Sequence, residues 1–255
     1  MPEFRTRRTL VNTELRRRGI YLLPNLFTTA ALFAGFYAIV QAMNQLYEQA
    51  AVAIFVAMLL DGIDGRVARL TRTQSAFGAE YDSLSDMVSF GAAPALVVYE
   101  WALKGMGKLG MISAFIYCAG AALRLARFNT NIEVVDKRYF QGLPSPAAAA
   151  LVAGLVWVMI DNGWKGDEAR WYACLLTIFA GITMVSNFSY YSGKDINLRR
   201  SVPFMVIAAI ALAFALISSY PPGVLFALFL AYALSGYVMA IWRKAAGRKP
   251  IARQT

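Results

Sequence analysis

Residues 47–103 read YEQAAVAIFVAMLLDGIDGRVARLTRTQSAFGAEYDSLSDMVSFGAAPALVVYEWAL, two apolar runs broken at their facing ends by four aspartates. Asp61 and Asp64 close the first run, and Asp82 and Asp86 open the second. Spacings of three and four residues put each pair on one face of a helix. A carboxylate at the edge of a membrane costs several kcal/mol unless its charge is offset. Four close together call for cations, and oxygen-only ligands favour Mg²⁺, Mn²⁺ or Ca²⁺ over zinc. The connection between the runs is short and basic, so the two helices are expected to be antiparallel neighbours with their carboxylate faces meeting. Ion pairs, such as Asp64 with Arg66 or Arg69, are the plain alternative for any one aspartate. All four at these spacings favour a pair of divalent ions.

Composition supports a membrane setting. The chain has 255 residues, 58% of them hydrophobic, and a mean hydropathy of +0.49, more apolar than a soluble domain of this length. The fold class expected is all-α, a polytopic transmembrane helix bundle. Candidate spans are 22–41, 47–60, 77–103, 109–125, 147–160, 171–188, 203–218 and 223–242, about eight, several of them shorter than a full crossing. The second extends if it runs on through the aspartates. The chain divides into a basic segment 1–21, a membrane domain 22–242 and a basic tail 243–255. The first segment suits an interfacial amphipathic helix, or equally a solvated tail.

Of the 25 Lys and Arg, all but Lys104, Lys108, Lys165 and Arg170 fall on one side of this arrangement. The positive-inside rule then places both termini and the aspartates on the cytoplasmic side of the inner membrane, as a multi-pass protein. The formal charge of +10 does not signal nucleic acid, because the basic residues lie between spans; anionic lipid headgroups are the better partner. Lys137, Arg138, Lys194, Arg199 and Arg200 read as headgroup contacts or topology signals, and Asp195 as a solvated loop residue. Trp101, Trp157, Trp171 and Trp242 sit near span ends and read as interfacial anchors. Cys118 and Cys174 show no metal-ligand spacing and read as packing residues. Histidine is absent, so acid–base chemistry falls to Asp, Glu, Lys or Tyr.

The residues around the aspartates suit a diphosphate. Gly62, Gly65 and Gly78 allow close backbone approach, and Arg69 is placed to neutralise phosphate oxygens. Two metals with an arginine stabilise the attacking and leaving oxygens of an in-line phosphoryl displacement. No Walker A loop is present, which disfavours an ATPase.

Asp61-x-x-Asp64-Gly65-x-x-Ala68-Arg69, eight residues, then Gly78-x-x-x-Asp82-x-x-x-Asp86 resembles the CDP-alcohol phosphotransferase signature without a departure. The resemblance implies that Asp61 and Asp82 bridge two Mg²⁺ or Mn²⁺ ions in each active site. Asp64 completes one ion's ligands and Asp86 the other's, and Asp86 also acts as the base that deprotonates the acceptor hydroxyl. It implies CDP contacts from Gly65, Arg69 and Ser75, with Gly78 giving room. Pro24-Asn25-Leu26-Phe27-Thr28 resembles the family's short motif that helps hold the nucleotide, which adds Pro24, Asn25 and Thr28. Residues 122–129 (ALRLARFN) and 141–146 (QGLPSP) resemble the bacterial subgroup whose acceptor is serine. The reaction implied moves the phosphatidyl group of CDP-diacylglycerol to the hydroxyl of L-serine and releases CMP.

Arg124 and Arg127 lie three apart and suit the carboxylate of an acceptor, with Asn129 as a hydrogen-bonding aid. They equally suit glycerol 3-phosphate or inositol phosphate, or the plain anchoring of a helix end. Gly142-Leu143-Pro144-Ser145-Pro146 reads either as the entry to the fifth span or as a simple turn before a helix. Ala147–Ala150 and Gly154 would permit close packing, within one subunit or across a homodimer. The rival class, a cation-coupled transporter, predicts acids scattered across the midplane and broken helices. Here the acids gather at one edge.

Overall fold

The computed structural model describes residues 24–71, 75–130, 139–191 and 204–246. The interfacial helix expected within 1–21 lies outside these, as do Lys137, Arg138, Lys194, Asp195, Arg199, Arg200 and the tail from 247. The architecture is all-α, as expected, with one small β-ribbon.

Helix α1 is Pro24–Met43 and α2 is Tyr47–Thr71. Helix α2 does run on through the aspartates, so a short apolar run becomes a helix of 25 residues, ~38 Å long at 1.5 Å per residue. Ser75 caps α3, Ala76–Asp86, by accepting from the Gly78 N–H at 3.0 Å. The rod then continues as a π-helical stretch Met87–Ala92, α4 Ala93–Val98, a second π stretch Tyr99–Leu103 and a 3₁₀ turn Lys104–Met106. Pro94 has no N–H to give the Phe90 carbonyl four residues back, and that carbonyl accepts from the buried Tyr117 hydroxyl at 2.9 Å. Helices α5 Lys108–Thr130, α6 Ser145–Asp161, α7 Gly166–Val185, α8 Phe204–Ser219 and α9 Pro221–Ala245 follow. Among the described residues each expected span overlaps a helix or a helical rod. Of the described helices, α1, α5 and α9 are long and apolar enough to cross a membrane. Large apolar side chains such as Phe33, Phe115, Leu175 and Ile241 are exposed, which suits lipid and not water.

The first half of α6 is the centre of the bundle. Ala147–Ala150, Leu151, Val152, Ala153, Leu155 and Val156 are all buried, and α6 packs against α2, α7 and α9. Gly154 faces the backbone of Phe226 on α9. These small residues therefore serve packing within the chain. Gly120 and Gly181 meet where α5 crosses α7, each with the other helix's backbone where a side chain would stand. One of the expected tryptophan anchors is a core residue instead, and a second, Trp157, is partly buried against the core. Trp101 is buried, and Trp157 packs on Phe55 with ring centroids 5.8 Å apart. Trp171 and Trp242 are exposed, as anchors should be. Cys174 is buried and Cys118 partly so, and neither forms a disulfide.

The ribbon pairs β1, Tyr139–Gln141, antiparallel with β2, Ser189–Tyr191. Gly142 follows at φ +74°, with the Met184 carbonyl where a β-carbon would go. Its N–H donates to the Phe188 carbonyl at 2.8 Å, and Leu143 N–H to that of Thr183 at 3.1 Å. The turn thereby sets the first residue of α6, Ser145, beside the end of α7. Tyrosines fasten α9 to the same corner: Tyr190 donates to the Ala233 carbonyl at 2.8 Å, and Tyr232 to that of Tyr191 at 3.2 Å.

Candidate active site

Helix α2 carries Asp61, Asp64, Gly65, Ala68 and Arg69 at intervals that keep them on one face, and α3 answers with Gly78, Ala79, Asp82 and Asp86. One oxygen from each of Asp61, Asp64 and Asp82 lies within 4.8 Å of the other two. Asp86 joins them through a side-chain hydrogen bond with Asp61. Three of the four carboxylates thus gather within ligand distance of one another, with Asp86 beside Asp61.

Helix α1 is locked over this group by hydroxyls. Ser85 donates to the Thr28 carbonyl at 3.2 Å and Ser89 to that of Ala31 at 3.1 Å. Gly35 has no side chain where Ser89 approaches. The Thr29 and Tyr81 hydroxyls meet at 2.9 Å. The Thr28 hydroxyl donates to Asp64 Oδ2 at 2.7 Å, with the Pro24 carbonyl 3.1 Å away. Thr28, expected as a nucleotide contact, thus supports a carboxylate as well. Ser85 and Ser89 escaped the sequence reading, although two serines four apart in an apolar run were the available signal.

Two carboxylates 4.8 Å apart repel by roughly 3 kcal/mol at an effective dielectric constant of 20, and three such pairs occur in the group. One threonine hydroxyl contributes about 1.5–3 kcal/mol, too little to offset them. No arginine forms an ion pair with Asp61, Asp64 or Asp82 among the described residues. Among the described residues the ion pair formed is Lys104 with Glu100, and neither Arg66 nor Arg69 pairs with an aspartate. The plain ion-pair alternative therefore fails. Asp82 keeps a buried Oδ1 with no partner. Oxygen donors only, a tight spacing and an orphaned carboxylate oxygen all fit divalent cations of the Mg²⁺ or Mn²⁺ kind.

Beside the carboxylates lies a pocket of about 300 Å³ lined by Pro24, Asn25, Thr28, Asp64, Gly65, Ala68, Arg69, Ser75, Gly78, Ala79 and Asp82. All the expected nucleotide contacts except Gly62 line it. Gly62 is exposed, and a β-carbon there would meet nothing within 4 Å; it turns away from the site because it is one residue from Asp61 on a helix, about 100° round the axis. Gly78 has its predicted use: a β-carbon would stand 3.1 Å from Ser75 Oγ and 3.5 Å from Asn25 Oδ1. Ala79 was not foreseen as a lining residue.

The three expected acceptor residues separate. Arg124 Nη1 donates to Ser145 Oγ at 2.7 Å, and its guanidinium interacts electrostatically with Asp86. Arg127 Nη1 instead donates to the Val185 carbonyl and to Asn187 Oδ1, both at 3.2 Å. It anchors the end of α5 to the end of α7. Asn129 is paired with Ser83 of α3 at 3.0 Å. Arg124 alone of the three is directed to the carboxylates.

The sequence model of CDP-alcohol phosphatidyltransferases matches residues 21–185. A Helicobacter pylori protein named CDP-diacylglycerol–serine O-phosphatidyltransferase is 36% identical over 198 residues, 76% of this chain and 82% of that protein. Proteins of the same name are 36% identical over 190 residues in Methanocaldococcus jannaschii, 74% of this chain and 82% of that one, and 30% identical over 223 residues in Mycobacterium tuberculosis, 85% and 78%. With the family match over most of its length and its signature residues gathered at one pocket, the chain belongs to the CDP-alcohol phosphatidyltransferase family.

Proposed function

We propose that this protein is a CDP-diacylglycerol–serine O-phosphatidyltransferase. The observation that carries the reading is the convergence of Asp61, Asp64, Asp82 and Asp86 beside a pocket lined by the signature residues, in a chain whose relatives bear that name. The serine oxygen attacks the phosphorus that carries the diacylglycerol, that new P–O bond forms, and the bond to the CMP oxygen breaks.

Asp61, Asp64, Asp82 and Asp86 would hold two Mg²⁺ or Mn²⁺ ions, which when bound supply positive charge to the diphosphate. Asp86, nearest Arg124, takes the proton from the serine hydroxyl. Arg69 binds phosphate oxygens at the mouth of the pocket, and Gly65 and Gly78 leave room for the nucleotide. Asn25 and Ser75 contact it. Arg124 receives the carboxylate of serine.

The lipid's tails have a place. A groove of about 990 Å³ runs between α1 and α2, lined by residues including Leu26, Ala30, Phe33, Val52, Val56 and Leu60. On α1 these residues alternate with those of the pocket, and on α2 the groove ends at Leu60, one turn before the pocket begins at Asp64, so a diphosphate in the pocket would leave its acyl chains against the groove. The domain layout 1–21, 22–242 and 243–255, about eight crossings, both termini and the active site on the cytoplasmic side of the inner membrane, and a homodimer pairing through faces other than the buried stripe of α6 complete the proposal.

The test is CMP release from CDP-diacylglycerol with serine, glycerol 3-phosphate, inositol and inositol phosphate as acceptors. Release dependent on serine alone is expected. Release only with another acceptor overturns the serine assignment, and no release with any overturns the enzyme reading.

A further inference from the structure

Ser145 begins the central helix and is fully buried. Its hydroxyl accepts a hydrogen bond from Arg124 Nη1 at 2.7 Å, while the Arg124 Nε is sealed from solvent without a partner. A guanidinium has five N–H donors, and a buried one normally finds acceptors for them. Here α6 supplies one acceptor, and Asp86 of α3 and Tyr232 of α9 both lie within electrostatic reach of the same group. The turn through Gly142, Leu143 and Pro144 fixes where the Ser145 hydroxyl stands. The arginine is thus held through Nη1, and its Nε–H remains a buried donor without an acceptor.

We infer that Ser145 is a positioning residue for the acceptor: its hydroxyl fixes the guanidinium of Arg124 beside Asp86 with donors free for the acceptor's negative group. This rests on the reading above that Arg124 receives the acceptor. Ser145 touches neither the nucleotide pocket nor the four carboxylates, so its effect runs through Arg124.

The experiment measures CMP release by purified wild-type protein, Ser145→Ala, Ser145→Thr, Arg124→Gln and the double variant, in mixed micelles with Mn²⁺, varying serine and CDP-diacylglycerol separately. Loss of one hydrogen bond to a charged group corresponds to about a tenfold change. Ser145→Ala is expected to raise the serine KM about tenfold, with kcat and the CDP-diacylglycerol KM within roughly twofold of wild type. Ser145→Thr, which keeps a hydroxyl, should restore most of the serine KM. In the Arg124→Gln background, Ser145→Ala should add less than about twofold. Both KM values rising together, or a full further loss on top of Arg124→Gln, overturns the inference and leaves Ser145 a packing residue. Should the alanine variant be lost in purification, Ser145→Cys, similar in size and a weaker acceptor, gives the same comparison. Wild-type release with a different anionic acceptor overturns the serine assignment alone, and the Ser145 shift is then read on that acceptor's KM.

Discussion

Thr28→Val removes the hydroxyl that α1 gives to Asp64 and keeps the side chain's shape. The hydroxyl lies 2.7 Å from Oδ2 of a carboxylate that is 4% exposed, so water cannot readily replace it. A hydrogen bond to a charged group contributes about 1.5–3 kcal/mol, and about 1.4 kcal/mol is a tenfold change in an equilibrium constant. Supports behind a metal ligand cost 10- to 100-fold in affinity when lost, by the same reasoning. The lower end applies here, because a cation at Asp64 is itself the carboxylate's larger partner. The concentration of Mn²⁺ giving half-maximal CMP release should therefore rise about tenfold. The rate at saturating Mn²⁺ should stay within roughly threefold, since Thr28 orients a ligand and moves no proton. Thr28→Ser should track wild type. A folded Thr28→Val protein with unchanged half-saturation would refute the link between α1 and the cation site. Thr28→Ser failing as badly as valine would assign the effect to the lost methyl.

Asp86→Asn keeps an oxygen but loses the base, so turnover should fall at least ~100-fold, while titration calorimetry still detects Mn²⁺ binding; near-normal turnover would remove Asp86 from the proton transfer. Dialysis against EDTA should abolish CMP release and added Mg²⁺ or Mn²⁺ should restore it, the check being activity that survives chelation. Gly142→Ala forces a side chain into a left-handed backbone that costs ~1–2 kcal/mol and into the Met184 carbonyl; a lower melting temperature is expected, and an unchanged one would show that the turn before α6 relaxes freely.

The aspartate group and its pocket were legible because their signal is local. Asp61 to Asp86 is one helical hairpin, and helical periodicity alone decides which side chains share a face. Charge within apolar sequence needs a reason, and that made the residues conspicuous. Other features depend on packing that periodicity does not encode. Trp101 and Trp157 sit near helix ends, as membrane-surface anchors do, yet neighbouring helices bury the first and partly cover the second. The ribbon of Tyr139–Gln141 and Ser189–Tyr191 has three residues a side, too few for alternation to declare a strand. Arg124 and Arg127 are separated by about 60° around α5. That angle is small enough to suggest a shared face in sequence, and large enough to send one side chain toward Asp86 and the other to the end of α7. The acceptor side was hardest to read for the same reason. Arg124, Ser145 and Tyr232 come from α5, α6 and α9, each a polar side chain embedded in apolar sequence. Any one of them alone reads as a buried group satisfying itself. Only the chain's long-range packing brings Ser145 and Tyr232 to Arg124, so the acceptor side proposed above depends on the whole fold where the proposed cation site depends on a hairpin.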